Sequence, residues 1–364
     1  MRTVYVELGD RSYPIYIAID ALNAVGELSL QHRLSRTLAI ITDETVSELY
    51  AERVVSDLQK CDFQVHVFRV PDGEESKSLS VADNLYEQMI KARLDRKSSV
   101  VALGGGVVGD LAGFVAATFL RGLPFVQIPT TLLAQTDSSV GGKVAVNHRL
   151  GKNLIGAFYQ PQLVVIDPMV LKTLPNREIW AGMGEVIKYG LIRDKNLFHL
   201  LETNLGRLID ALDLQLMETI IENCCRIKAE VVAQDEREGG LRRILNFGHT
   251  IGHALEAATE YNFFRHGEAV IWGMRAMNWL SYKENLLPVE DFHKIEHLLN
   301  RIPTPGTWPD ITSMEVLSKI YLDKKIIDTR LCVILLRSIG TAVIKEGFSE
   351  NELLSAINYI QDEI

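Results

Sequence analysis

Short apolar runs alternate with longer amphipathic stretches through the first half of the chain. Val4-Tyr5-Val6, Ile15-Tyr16-Ile17, Leu38-Ala39-Ile40-Ile41 and Val65-His66-Val67-Phe68 read as strands. Val100-Val101-Ala102-Leu103, Phe125-Val126-Gln127-Ile128 and Leu163-Val164-Val165-Ile166 read the same way. Between them, Val46 to Leu58 and Leu79 to Arg93 repeat their apolar positions with the period of a helix. Strands joined by such crossovers make βαβ units, which predicts a Rossmann-like α/β domain with a mostly parallel sheet. The first two runs either continue that sheet or form an antiparallel edge on it. After Asp167-Pro168 the period changes, and helices are predicted over Arg177–Leu191, Leu214–Gln234, His249–Ala258, His266–Glu284, Val289–Arg301 and Ser313–Asp323. Asn262 and the Pro303/Pro305 pair punctuate them. Arg330 to Lys345 returns to strand character, and a last helix is expected over about Ser349–Tyr359. The pattern thus predicts an α/β domain over 1–172 and a mainly α-helical domain over 173–364.

Composition narrows the function classes. A chain of 364 residues is long enough for two cores. Its 38 Lys+Arg against 47 Asp+Glu give a formal charge of -9, which argues against general nucleic-acid binding but permits a local cationic pocket for a small anion. Four cysteines, two of them adjacent as Cys224-Cys225, do not make a disulfide framework or a zinc ribbon. They read as reduced thiols. The start, Met-Arg-Thr-Val-Tyr-Val-Glu, lacks the apolar core of a signal peptide, and no apolar run approaches the roughly 18 residues of a membrane span. The expected location is the cytoplasm, without membrane contact.

Two clusters carry phosphate-binding chemistry. Gly104-Gly105-Gly106-Val107-Val108-Gly109-Asp110 follows the strand ending at Leu103, where glycines let the backbone approach a pyrophosphate and helix N–H groups face its charge. Pro129 to Lys143 begins just after the next strand and gathers Thr130, Thr131, Thr136, Asp137, Ser138, Ser139, two glycines and Lys143 at the same sheet edge. Gly151-Lys152-Asn153 repeats the theme, and Asp72-Gly73-Glu74-Glu75-Ser76-Lys77 follows the Val65–Val70 strand.

The helical half carries a candidate metal set. His249 and His253 lie four apart in Leu245 to His253, on one helical face. His266-Gly267-Glu268 opens another apolar helix, and Glu185 and Lys188 lie three apart in an apolar stretch where a lone acid would need a partner. Three nitrogen or oxygen ligands suit a catalytic zinc site. Spacing alone favours Glu185, His249 and His253, with His266 as the other candidate for the third place. Arg121, Lys143, Lys152, Lys188, Lys228, Arg242, Lys324 and Lys325 suggest a focused positive pocket for a carboxylate or phosphate.

Taken together, Asp72-Gly73-Glu74…Lys77, Gly104–Asp110, Ile128–Lys143, Gly151-Lys152-Asn153, Gly184–Gly190, Leu245–His253 and His266–Val270 closely resemble the 3-dehydroquinate synthase family. The resemblance implies a tightly bound NAD, one divalent metal ion (zinc or cobalt) and a homodimer. It places the metal on Glu185, His249 and His266, leaving His253 beside the substrate. It places the catalytic positions on Asp137, Lys143, Lys188, Asn246 and His253. Further substrate contacts fall on Asn153, Lys228, Arg242, and Lys324 or Lys325, with Arg121 reaching a neighbouring subunit's phosphate site. Cofactor contacts fall on Asp43, Glu74, Lys77, Gly105, Gly106, Asp110, Thr130, Thr131 and Lys152. The implied reaction is a lyase step of the shikimate pathway, converting 3-deoxy-D-arabino-heptulosonate 7-phosphate to 3-dehydroquinate and phosphate. It proceeds by transient oxidation at C5, β-elimination of phosphate, re-reduction, ring opening and aldol closure. Cyclases of other sugar phosphates and metal-dependent polyol dehydrogenases are the rival readings.

Overall fold

The computed structural model describes residues 1–305, 307–324 and 332–362. They form two compact units, one of 1–174 with 212–237 and one of 175–211 with 238–364.

The first unit is built on a seven-stranded sheet. Its strands are β1 (Arg2–Val6), β2 (Tyr13–Ile17), β3 (Thr37–Asp43), β4 (Gln64–Val70), β5 (Ser99–Gly104), β6 (Phe125–Pro129) and β9 (Leu163–Ile166), in the order β1-β2-β9-β6-β5-β3-β4. All neighbours are parallel except β1 with β2, so the first two runs make the antiparallel edge. Side chains alternate between two apolar layers: Ala39, Ile41, Val100 and Ala102 face one, and Leu38, Ile40, Val101 and Leu103 the other. All six residues of β5 are buried, which is why the strand reads as a continuous apolar run. The pattern did not predict β7 (Lys143–His148) and β8 (Gly151–Phe158), an antiparallel hairpin apart from the main sheet. Its β8 residues are mostly exposed and polar or small, so they lack the apolar alternation of a half-buried strand.

The helix Leu214–Gln234 groups with the first compact unit, although it lies beyond residue 172. Arg2 on β1 donates to Glu222 and to Thr219, the latter at 3.0 Å, and Cys225 Sγ reaches Gln135 O at 3.3 Å. Just beyond the helix, Glu236 accepts from Arg11 Nη2 at 2.7 Å and from Gln160 Nε2 at 2.9 Å.

The second unit consists of the helices Asn176–Ile192, Lys195–Ala211, His249–Ala258, His266–Lys283, Val289–Leu299, Ser313–Lys324 and Glu350–Asp362, with the hairpin β10 (Cys332–Ser338)–β11 (Thr341–Glu346). Lys195–Ala211 was not anticipated, although Leu197, Leu201, Leu205 and Leu208 recur at helical spacing and are buried. Arg330 and Leu331, expected to open the late strand, lie outside the described residues, as does Lys325.

Small residues bring the helix backbones of this unit together. A Cβ on Gly184 would lie 2.7 Å from Gly267 O, and one on Gly267 would overlap the Ala181 carbonyl. A Cβ on Gly273 would overlap Gly248 O. The glycines stand next to Glu185, His266 and His249, so close helix approach sets the distances among those three side chains.

Candidate functional site

In the first unit the glycine turn lies where expected: β5 ends at Gly104, Gly105 caps and Gly106 opens the helix Gly106–Thr118. A Cβ on Gly105 would come within 2.9 Å of Thr131 Cγ2, so the turn leaves room only for backbone. Thr131 Oγ1 accepts from Ala134 N at 3.1 Å and caps the next turn. Thr130 Oγ1 is buried and has no hydrogen-bond partner among the described residues, a donor left for a bound group at the C-terminal edge of the sheet. Asp43 ends β3 and caps the turn after it, accepting from Val46 N at 2.7 Å. Burial, reinforced by Asp72, holds its carboxyl above the usual carboxylate range.

Lys77 is the hub of the neighbouring polar network. Its Nζ is 2.5 Å from both Asp110 Oδ2 and Asn153 Oδ1. Asn153, at φ 58°, donates its backbone N–H to Asn147 Oδ1 at 2.9 Å. Asn147 Nδ2 in turn donates to Glu74 Oε1 at 2.7 Å, with Lys152 Nζ 3.9 Å from the same oxygen. Asn147 was not singled out from the sequence, because nothing in its spacing marks it. Lys228 is buried and bonds both the carbonyl (2.7 Å) and the carboxylate (3.0 Å) of Asp137. Lys143, first residue of β7, and Arg121, at φ 74° in the turn after the Gly106–Thr118 helix, are exposed.

In the second unit, Glu185 and Lys188 lie on the Asn176–Ile192 helix as a buried ion pair. Glu185 Oε1 is 3.4 Å from His249 Nε2 and 3.6 Å from His266 Nε2. Each imidazole turns its other nitrogen outward: His249 Nδ1 to Phe247 O at 3.2 Å, His266 Nδ1 to Glu256 Oε2 at 3.1 Å. With Nδ1 of each ring turned to an outer acceptor, each Nε2 is the nitrogen on the side of Glu185 and the one that could coordinate a cation in place of a proton. Burial and Lys188 hold His249 well below the usual imidazole value. Burial also opposes a charge on His266, but Glu185 and Glu256 outweigh it and raise that group to about 10. His253 is exposed, and one nitrogen from each of the three imidazoles lies within 4.8 Å of the others. The i,i+4 pair and His266 therefore all gather at one place. Two nitrogens and a carboxylate oxygen form a donor set suited to a divalent ion of borderline softness.

Arg242 is buried, and Asn246 Nδ2 donates to Glu238 Oε1 at 2.5 Å. Lys324 ends the helix Ser313–Lys324. Sequence reasoning missed Glu238 and Glu256. For Glu256 a signal existed: it lies three residues after His253 and seven after His249, on the same helical face.

Residues 67–181 match the 3-dehydroquinate synthase N-terminal family and residues 182–326 the 3-dehydroquinate synthase C-terminal family. The 3-dehydroquinate synthase of Desulforamulus reducens is 49% identical over 359 residues, covering 98% of this chain and 100% of that protein. A crystal structure of 2-deoxy-scyllo-inosose synthase with carbaglucose-6-phosphate, NAD+ and Co2+ superposes with a TM-score of 0.89 at 29% identity, covering 98% of this chain and 99% of that one. The 2-epi-5-epi-valiolone synthase of Streptomyces hygroscopicus subsp. jinggangensis 5008, with NAD+ and Zn2+ bound, gives a TM-score of 0.87 at 27% identity over the full length of both chains. With both family segments matched in order and close relatives aligned almost end to end, the chain belongs to the 3-dehydroquinate synthase family.

Proposed function

We propose that the protein is an NAD- and divalent-metal-dependent 3-dehydroquinate synthase, a phosphate-eliminating carbon–oxygen lyase acting on 3-deoxy-D-arabino-heptulosonate 7-phosphate. The observation that carries this reading is the convergence of His249 Nε2 and His266 Nε2 on one oxygen of Glu185, at 3.4 and 3.6 Å. When bound, the dinucleotide supplies reversible hydride acceptance at C5 and the zinc or cobalt ion supplies electrostatic stabilisation of developing oxyanion character.

The remaining roles belong to the chain's own groups. Glu185, His249 and His266 hold the ion, and Lys188 offsets the charge of Glu185. Gly105, Gly106, Thr130 and Thr131 receive the dinucleotide, with Asp43, Glu74, Lys77, Asp110 and Lys152 completing its contacts. His253 is exposed and moves the C5 hydroxyl proton, since an imidazole can both accept and donate one. Oxidation at C5 acidifies the C6 proton, and loss of that proton expels phosphate, which Lys143, Asn153 and Arg121 hold. Lys228, Arg242 and Asn246 serve the substrate carboxylate, Arg242 by a two-pronged contact. Asp137 orients Lys228 at 3.0 Å. After re-reduction and ring opening the enolate attacks the C2 carbonyl, and the pocket's contribution is orientation. The carboxylate contacts favour this substrate over the carboxylate-free sugar phosphates used by other cyclases. The reading includes a cytoplasmic homodimer in which Arg121 serves the neighbouring subunit. Among the described residues no helix is long and apolar enough to cross a membrane.

The test is to measure bound metal and NAD in the purified protein and to follow phosphate release from the heptulosonate phosphate. Stoichiometric phosphate without net NADH is expected, whereas net NADH would indicate a polyol dehydrogenase. His249→Ala should lose the metal and the phosphate release while its far-ultraviolet dichroism stays that of the folded chain. Full activity after complete removal of the metal would overturn the assignment.

A further inference from the structure

We infer that Glu256 is a positioning residue for the cation site, acting through His266 to fix its tautomer and strengthen it as a ligand. The inference rests on the metal reading of Glu185, His249 and His266. Glu256 is buried, 6% exposed, and its Oε2 lies 3.1 Å from His266 Nδ1. A carboxylate can only accept there, so Nδ1 carries a proton and Nε2, on the side of Glu185, is the nitrogen left to coordinate a cation.

The two imidazoles are thereby made unequal. His249 Nδ1 faces a neutral acceptor, Phe247 O at 3.2 Å, whereas His266 Nδ1 faces a charged one. A charged outer acceptor raises ligand basicity more than a carbonyl does. Glu256 also joins two helices at the site. It stands on the His249–Ala258 helix, whereas His266 opens the His266–Lys283 helix. Gly252, midway between His249 and Glu256, lets these helices approach: a Cβ there would lie 3.1 Å from Ala269 O. One helix therefore supplies His249 directly and steers His266 from outside.

The experiment compares full-length wild type, Glu256→Gln and Glu256→Ala for Zn2+ affinity by chelator competition. The visible absorption of each protein loaded with Co2+ is recorded, and apo-protein melting is followed in parallel. Glu256→Ala should lose about 10–100-fold in affinity and shift the Co2+ bands, since the imidazole is no longer held. Glu256→Gln keeps an acceptor but loses the charge, so its affinity should fall between the other two with near wild-type bands. A Glu256→Ala or Glu256→Gln protein that binds Zn2+ as tightly as a wild type of measured affinity overturns the inference and leaves the metal reading standing. A wild type that binds no Zn2+ or Co2+ overturns the metal reading and the inference with it. If Glu256→Ala does not fold, Glu256→Gln decides: wild-type affinity and bands refute the inference, and weakened binding at unchanged apo-protein melting supports it.

Discussion

Lys188 sits one helical turn after Glu185, and its ammonium closes on the Glu185 carboxylate where the two side chains are 2% and 1% exposed. A buried pair of this kind is conditional on both partners. Removing one leaves the other charged in a medium that solvates it poorly, at a cost of about 3–5 kcal/mol.

Lys188→Met should therefore lower the melting temperature of the metal-free protein. It should also enlarge the stabilisation gained on adding Zn2+ or Co2+, because the cation then supplies the positive partner Glu185 has lost. Paired melts of wild type and variant, with and without saturating metal, measure this directly. An equal metal-induced shift in both proteins would mean that Glu185 does not face the cation.

The second prediction concerns how the donors are brought together. A Cβ on Gly267 would overlap the Ala181 carbonyl, and neither atom belongs to a flexible side chain. Gly267→Ala must push the Asn176–Ile192 and His266–Lys283 helices apart, at about 1–3 kcal/mol for overpacking. Because Glu185 and His266 ride on those helices, metal affinity should fall together with the urea midpoint. Wild-type metal affinity at reduced stability would show that the donor geometry is set by something other than this contact.

The sheet was legible because a strand buried on both faces has a plain signature: Val100 to Leu103 and Leu163 to Ile166 read as unbroken apolar runs and are wholly buried. The helix Leu214–Gln234 shows the limit of that logic. Its apolar stripe announces that one face is buried but not against which unit, and ion pairs to residues far away in sequence, Glu222 with Arg2 and Lys228 with Asp137, decide the matter. The same limit governs the donor set. Spacing pairs His249 with His253, since i and i+4 share a face, but it cannot decide between His253 and His266 for the third place, because His266 arrives on another helix through the Gly184–Gly267 approach. Only resemblance to a family preferred His266 to His253 as the expected ligand. Glu256 and Asn147 went unseen for a related reason: each meets a partner that the fold brings up from elsewhere in the chain, His266 on another helix for one and Glu74 for the other.

The third prediction is a pH dependence in the first unit. Arg11 donates to both oxygens of Glu236, and these bonds, helped by Gln160, bring the carboxyl from its usual 4.5 down to about 2. A folded-state value below the unfolded one makes a stabilising contribution that is full above the unfolded value and is lost as pH falls toward the folded one. Arg11 is 59% exposed, so solvent screening keeps the contribution to about 1 kcal/mol or less. Arg11→Ala should thus lower the urea midpoint at neutral pH by a small, constant amount down to about pH 5, and the gap to wild type should narrow as the pH drops toward about 2. High salt should narrow it as well, because the guanidinium is in water. A gap that stays the same between neutral pH and about pH 3 would show that Arg11 holds the segment after the Leu214–Gln234 helix by packing of its stem and not by its charge.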